Sequence, residues 1–423
     1  MRIAVVGSGI SGLAAAWLLS RAHEVTLFES EDYLGGHTHT HDVVLAGHRY
    51  AVDSGFIVYS PKHYPLLTRL FAELGVGSQP TSMSFSVRNE ASGLEYNAGS
   101  LDGLFCQRQN LLSPRFLGMV RDLLRFYREA PALLRHPGRG PTLGEYLRAR
   151  GYGAAFRDEH LIPMASALWS SPPARILEFP ARYLVKFMAH HQMLGVTGRP
   201  LWRVVRGGSA TYVRALRARW RVAERLRCPV RAVRSCARGV LLSHDGGGES
   251  FDQAVLACHS DQALALLERP SEAEHSILGA MAYQPNEAVL HTDASLLPRR
   301  RKAWAAWNAL VPRDPAAACT VSYCMNLLQG HDCPEPLVVT LNPSRAIDPA
   351  KVLRRMRYHH PLYTHAAVEA QRRRGEIQGV RRIWFAGAYW GWGFHEDGVR
   401  SAVEVAEGLG VRWRAADAEA AAA

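Results

Sequence analysis

Val5-Val6-Gly7-Ser8-Gly9-Ile10-Ser11-Gly12, followed by Glu29 at the end of the next apolar run, decides how this chain folds. Gly7, Gly9 and Gly12 have G-x-G-x-x-G spacing, after the apolar run Ile3 to Val6 and before the helix-like stretch Leu13 to Ser20. The first glycine permits a tight turn, the second a close backbone approach to a pyrophosphate, and the third close packing of helix on strand. A helix starting there presents free N–H groups and partial positive charge to phosphates. The second strand, Glu24 to Phe28, ends at Glu29, whose carboxylate suits ribose hydroxyls. The order strand, turn, helix, strand, acid predicts a Rossmann-like α/β unit that binds a dinucleotide.

Beyond Glu29-Ser30 the chain continues to Gly35-Gly36-His37-Thr38-His39-Thr40-His41. This second glycine pair resembles the FAD-binding fingerprint of the flavin amine oxidase superfamily, which includes amine oxidases, protoporphyrinogen oxidases and carotenoid desaturases. The far end of the chain resembles the same superfamily. Ile383 to Ala388 reads as a buried strand running into a turn, and His395-Glu396-Asp397-Gly398 opens a last helix. Between them, Cys228 to Val233 is similar to the segment whose Val230 brackets the adenine. Phe251 to Cys258 is similar to the strand that closes the cofactor domain, ending at Ala257.

The resemblance implies FAD as cofactor and a two-domain fold, an α/β FAD-binding domain with an inserted α+β substrate domain. Its cofactor contacts would be Gly7, Gly9, Ser11, Gly12, Glu29, Ser30, Gly35, Gly36, His37, Thr38, Gly55, Phe56, Ile57, Val230, Ala257, Gly387, Ala388, Phe394, His395 and Glu396. Two positions depart from the family: His37 stands where many members carry Arg, and Ala388 replaces the usual acidic residue. Asp53 to Tyr59 and Tyr389 to His395 match the segments flanking the isoalloxazine. Tyr59, Trp390 and Trp392 are the candidate aromatic walls, and His395 the candidate proton relay or stabiliser of reduced flavin. His37, His39 and His41 alternate as on one strand face; their overlap with the glycine motif reads as phosphate and structural contact rather than metal binding.

Interleaving of the blocks predicts a discontinuous cofactor domain, residues 1–60, 201–265 and 381–412. The substrate domain then takes 61–200 and 266–380, with 413–423 a low-complexity flexible tail. Helical patterns cover Tyr64 to Leu74, Pro114 to Leu134, Thr142 to Arg150, Arg182 to Met193 and Ala210 to Trp220. Strand patterns cover Ala303 to Leu310, Cys319 to Leu327 and Leu337 to Leu341. A chain of 423 residues, 48% hydrophobic, buries a large core in two domains.

Seven cysteines without a C-x-x-C spacing predict free thiols. The first strand begins at once after Met1-Arg2, leaving no room for a signal peptide, and no apolar run reaches a spanning length. A cytoplasmic protein is expected. The net charge of +12 comes with no nucleic-acid motif, so a nucleic-acid partner is not expected. Residues 115–135 interleave Arg121, Arg125 and Arg128 with Phe116, Leu117, Val120, Leu123, Leu124 and Tyr127. Such a helix either packs on the substrate domain, the favoured reading, or rests on anionic lipid at the inner membrane face.

The GGHTHTH and GFHEDG variants resemble a bacterial branch of FAD-binding oxidoreductases linked with lipid modification. That resemblance implies hydride removal from a fatty-acyl or isoprenoid substrate to flavin N5, a desaturation. Two alternatives stay open: an amine oxidase releasing imine and peroxide, and a flavin-binding protein without turnover.

Overall fold

In the computed structural model, residues 1–414 are described apart from 136–137, 170, 315–318 and 344–345. Five parallel strands form the sheet that the opening motif predicts: β1 (Arg2–Val6), β2 (Glu24–Phe28), β3 (Val222–Arg225), β4 (Gln253–Leu256) and β5 (Ile383–Phe385). Their order is β3-β2-β1-β4-β5, with Val5 opposite Leu27 on one side and Val255 on the other. The order reverses at β1, so a crevice opens beyond the carboxyl ends of β1 and its neighbours.

Both faces of this sheet are covered, which is why its strands read as nearly continuous apolar runs. Ile3, Val5, Val25, Leu27 and Val255 face one way, into a core shared with helices. Ala4, Val6, Phe28, Ala254 and Leu256 face the other way, onto a three-stranded antiparallel sheet spanning residues 230–251. Six helices matter for the site: α1 (Ile10–Leu19), α2 (Pro65–Leu74), α3 (Pro114–Glu129), α4 (Ala181–His190), α5 (Ala210–Arg217) and α6 (His395–Gly408). The start of α6 lies on the start of α1: a Cβ at Gly398 would stand 2.6 Å from Ile10 Cγ2 and 2.9 Å from Ser11 Oγ.

A second layer is a seven-stranded mixed sheet. All its neighbours run antiparallel except Phe85–Asn89 beside Trp307–Val311. One long pair, Tyr283–His291 against Val352–Pro361, forms its edge nearest the nucleotide unit. The helical segment between residues 101 and 191 packs beside this sheet through Phe116, Phe126, Leu147, Phe156, Trp169 and Phe187.

Several boundaries move for local reasons. Pro131 falls inside the expected helix 114–134, which is α-helical only to Glu129 and tightens to a 3-10 turn over Ala130–Leu134. The helix expected at 142–150 spans Leu143–Ala149, and Thr142 and Glu145 form a reciprocal cap. The strand expected from Ala303 starts at Trp307, after a 3-10 turn at Arg301–Ala303. Trp413, assigned to the tail on sequence, is buried, stacks with Arg69 at 4.2 Å and donates to Glu73 Oε1 at 2.9 Å. Residues 415–423 of that tail lie outside the described residues.

Candidate active site

The crevice is built by the loops after four parallel strands. After β1, Gly7 adopts φ +97° beside the backbone of Ala257 and Cys258, where a Cβ would lie 3.0 Å from Cys258 N. Gly12 is pressed so closely on the Gly7 carbonyl that a Cβ there would overlap it. Around Gly9, by contrast, a Cβ would meet nothing within 4 Å. Gly9 N-caps α1 with no side-chain acceptor, so the first-turn amides of α1 have no side-chain cap.

After β2, the Glu29 carboxylate accepts from Ser8 N at 2.9 Å and Ser8 Oγ at 2.6 Å. Its other oxygen accepts from Ser30 Oγ at 3.1 Å and Glu31 N at 3.0 Å. Arg227 N donates to Glu31 O and Cys228 N to Glu29 O, which brings Val230 to the same strand end. Ahead of α1, Gly36 (φ +57°) lies so close that its Cβ would be 3.1 Å from Gly9 Cα. Gly55 is pinned against the His37 carbonyl, which accepts from Phe56 N at 2.8 Å.

From the opposite end of the chain, Gly387 N donates to Ser401 Oγ, and the Ala388 carbonyl accepts from Gly391 N and Gly393 N. At the start of α6, the His395 ring stacks on Phe56 with centroids 3.6 Å apart. Thr38 Oγ1 lies 3.0 Å from His395 Nε2 and 2.5 Å from the hydroxyl of Tyr212, carried by α5. Burial, then the nearby His37, holds His395 well below the usual histidine range. It is a neutral imidazole at neutral pH.

Glu396 accepts from Leu66 N and Leu67 N at 3.1 and 3.0 Å, fixing the start of α2. Asp397 accepts from Trp392 N and Phe394 N at 3.0 and 3.1 Å.

The three aromatic candidates separate into two groups. Tyr59 is packed into the α2 core, edge-on to Phe71 at 5.2 Å. Trp390 is buried, and its Nε1 donates to Phe385 O. Trp392 and Phe394 instead join a wall with Phe187, His190 and His191: Phe394 stacks on Phe187 at 5.3 Å and Trp392 lies 5.0 Å from His190. His63, 5.0 and 5.1 Å from His190 and His191, completes it. Burial draws His63 and His191 down to about 4.

Sequence reading did not find Tyr212, and it placed Asp53 in a flavin-flanking segment without giving it a role; Asp53 lies at the heart of the junction. The Asp53 carboxylate accepts from Ser209 N, Ser209 Oγ, Thr40 Oγ1 and Gln329 Nε2, tying three distant segments together. Burial raises it to about 6. The alternation of His37, His39 and His41 also misleads. The strand begins only at Thr40, after Gly35 and Gly36 bend the chain with positive φ. His39 and His41 stay together with centroids 4.1 Å apart, while His37 turns to His360 and Tyr358 at 5.3 and 5.0 Å.

These features fit a flavin dinucleotide. There is open space over Gly9, an uncapped helix start and a carboxylate at the end of β2. His37 Nε2 is buried with no hydrogen-bond partner, beside the glycine pair. The fold and crevice therefore define a two-domain dinucleotide-binding oxidoreductase. Residues 10–302 match the model of the flavin containing amine oxidoreductase family, and the chain belongs to that family. Its cofactor is FAD, and it is an FAD-dependent oxidoreductase.

Tryptophan 2-monooxygenase of Pantoea agglomerans pv. gypsophilae is 35% identical over 101 residues, which cover 22% of this chain and 15% of that enzyme. Cyclohexylamine oxidase from Brevibacterium oxydans superposes with a TM-score of 0.69 at 17% identity, over 97% of this chain and 99% of that one. A CLA-producing fatty acid isomerase from P. acnes superposes at 0.64 and 16% identity, over 96% and 98%.

Proposed function

We propose that this oxidoreductase removes two hydrogens from an apolar, lipid-like substrate and leaves a double bond. The observation carrying this reading is the character of the wall ahead of α6. Trp392, Phe394 and Phe187 give apolar area, and His63 and His191 are kept neutral by burial. Glu396 and Asp397, the carboxylates that reach this region, are both engaged by backbone amides. A buried ammonium needs a counter-charge or strong acceptors, whereas an acyl chain needs only dry contact area.

On this reading residues 1–60, 201–265 and 381–412 carry the cofactor, and 61–200 and 266–380 shape the substrate space. Bound FAD supplies the two-electron acceptor. The chain supplies position and charge. Stacking on Phe56 fixes the His395 ring, and Thr38 and Tyr212 hold or pass a proton at His395 Nε2. The α6 N-terminus favours negative charge beside it. Trp392 faces the substrate with Phe394 behind it, while Tyr59 and Trp390 keep the wall in shape.

The same reading gives α3 a role. Its Phe116, Met119 and Phe126 are buried inward, as packing on the substrate layer requires. Outward, Leu117, Arg121, Leu124 and Arg128 share a face, and the adjoining Leu111 and Leu112 are exposed by 49% and 86%. Leucines between arginines suit transient contact with an anionic bilayer that holds the substrate. Among the described residues no helix is long and apolar enough to cross a membrane.

Anaerobic mixing of the FAD-loaded protein with fatty-acyl lipids tests the reading. Loss of the visible flavin band with lipid, and none with primary amines, is the expected result. Bleaching by amines alone assigns amine oxidation instead.

A further inference from the structure

A histidine, His37, follows the glycine pair Gly35-Gly36, and three more histidines from distant segments gather around it. His37 follows the glycine pair, His259 follows β4, and His359 and His360 end the strand Val352–Pro361. The His37 ring lies 5.3 Å from His360 and 6.0 Å from His259; His259 in turn lies 6.1 Å from His359. This nest abuts the glycine turn, since Cys258 N, one residue before His259, touches Gly7, and Gly36, one residue before His37, touches Gly9.

The hydrogen bonds fix which ring is free to change state. Glu287 N donates to Asn342 Oδ1 at 2.9 Å, which orients that amide. Asn342 Nδ2 then donates to Asn286 Oδ1 at 2.6 Å, and Asn286 Nδ2 to His360 Nδ1 at 2.8 Å. His360 must therefore carry its proton on Nε2, and a second proton on Nδ1 would face an amide donor. Its tautomer is locked as a neutral donor. His259 is stacked on Tyr283 at 4.3 Å. His37 Nε2, by contrast, is buried and unpartnered.

Every charge that acts on His37 comes from another histidine: His259, His359 and His39. The other ionisable groups around the nest are engaged elsewhere. On its own loop, Glu29 is held by Ser8 and Glu31 N, Tyr33 stacks on His39 and Asp32 acts on His39. Asp261 acts on Tyr283 and Cys258, the Tyr358 hydroxyl meets Ser54, and His395 is hydrogen-bonded to Thr38. Without an anion in the crevice, burial and these neighbours draw His37 and His360 down to about 3 and His259 to about 4. His37, His259 and His360 are therefore neutral at neutral pH. A fixed anion beside His37 favours its cation.

We propose that His37, flanked by His259 and His360, forms the pyrophosphate-side cradle for FAD, and that binding FAD takes one proton from solvent onto His37. The pyrophosphate carries fixed negative charge throughout the neutral range and offers His37 the acceptor it lacks. The balance is simple: apoprotein, FAD and one proton give the complex, an N–H bond forms on the His37 ring, and the buffer acid in solution gives up that proton. This inference rests on FAD occupying the crevice beside the glycine turn.

Titration calorimetry of apoprotein with FAD, in two buffers of different ionisation enthalpy, tests it between pH 5.5 and 8. The expected result is uptake of close to one proton at the acid end, with Kd rising by up to about tenfold per pH unit as uptake operates. His37→Arg carries a fixed charge and should bind FAD with little pH dependence. His37→Gln should bind weakly and equally flatly. If wild-type binding is tight but independent of buffer and pH, the proposal is overturned while the FAD site stands; if FAD does not bind at all, the FAD site itself fails. Should His37→Gln weaken binding yet retain the wild-type pH slope, His37 is only structural and the proposal is again overturned. The wild-type proton count decides the matter even where a variant fails to fold.

Discussion

Gly36 shows how one residue transmits the demands of the whole crevice. Its φ of +57° and the 3.1 Å that a Cβ would leave to Gly9 Cα make a side chain there both strained and tight. Gly36→Ala should weaken FAD binding by about tenfold or more, because left-handed strain of about 1–2 kcal/mol adds to that contact. Equilibrium dialysis of FAD against the variant measures this, with circular dichroism expected to be unchanged. Glu29→Gln should also retain the fold and release FAD faster. An amide at that position replaces one acceptor oxygen by a donor that faces Ser8 N. Such positions were legible in the sequence because the backbone itself dictates them. Tyr212 was not: its hydroxyl meets Thr38 across 174 positions of sequence, and nothing near it marks the meeting.

At the scale of elements, the site depends on three helix starts. The α1 start is bare, as a phosphate-facing helix should be, and the α6 start leans on it at Gly398. The α2 start is held by Glu396 alone of the acids in that turn, through two amides. Glu396→Ala should therefore cost about 0.5–2 kcal/mol, the range for a lost helix cap. Faster hydrogen exchange at Leu66 and Leu67 would locate the loss, and an unchanged exchange rate would contradict the cap. Helices with strong periodicity or caps were legible to within a few residues, as Thr142 with Glu145 illustrates. The histidine triplet misled because period two is a strand signal only while the chain runs straight. Gly35 and Gly36 bend it before Thr40.

Across the whole molecule, the cofactor crevice joins both ends of the chain, and the histidine nest makes that junction sensitive to acid. His37, His259 and His360 have folded values of about 3 to 4, against 6.5 when unfolded. Between those limits the unfolded chain binds more protons, so stability rises with pH across the window and falls on acidification below about 6.5. Apoprotein should lose thermal stability from pH 7 to 5, and FAD should protect it increasingly over that range, which paired melting curves would record. The parallel sheet and its ligand class were readable from its local motifs. The substrate wall was not, because Phe187, His190 and His191 meet Trp392 only in the tertiary fold. Its aromatic area, with His63 and His191 kept neutral by burial, is the basis of the central claim. The most direct test is a mass-spectral lipid profile of cells carrying the wild-type chain or Gly36→Ala. Acyl lipids lighter by one pair of hydrogens, present only with the wild type, are predicted; an unchanged lipid profile alongside consumption of amines would contradict the account.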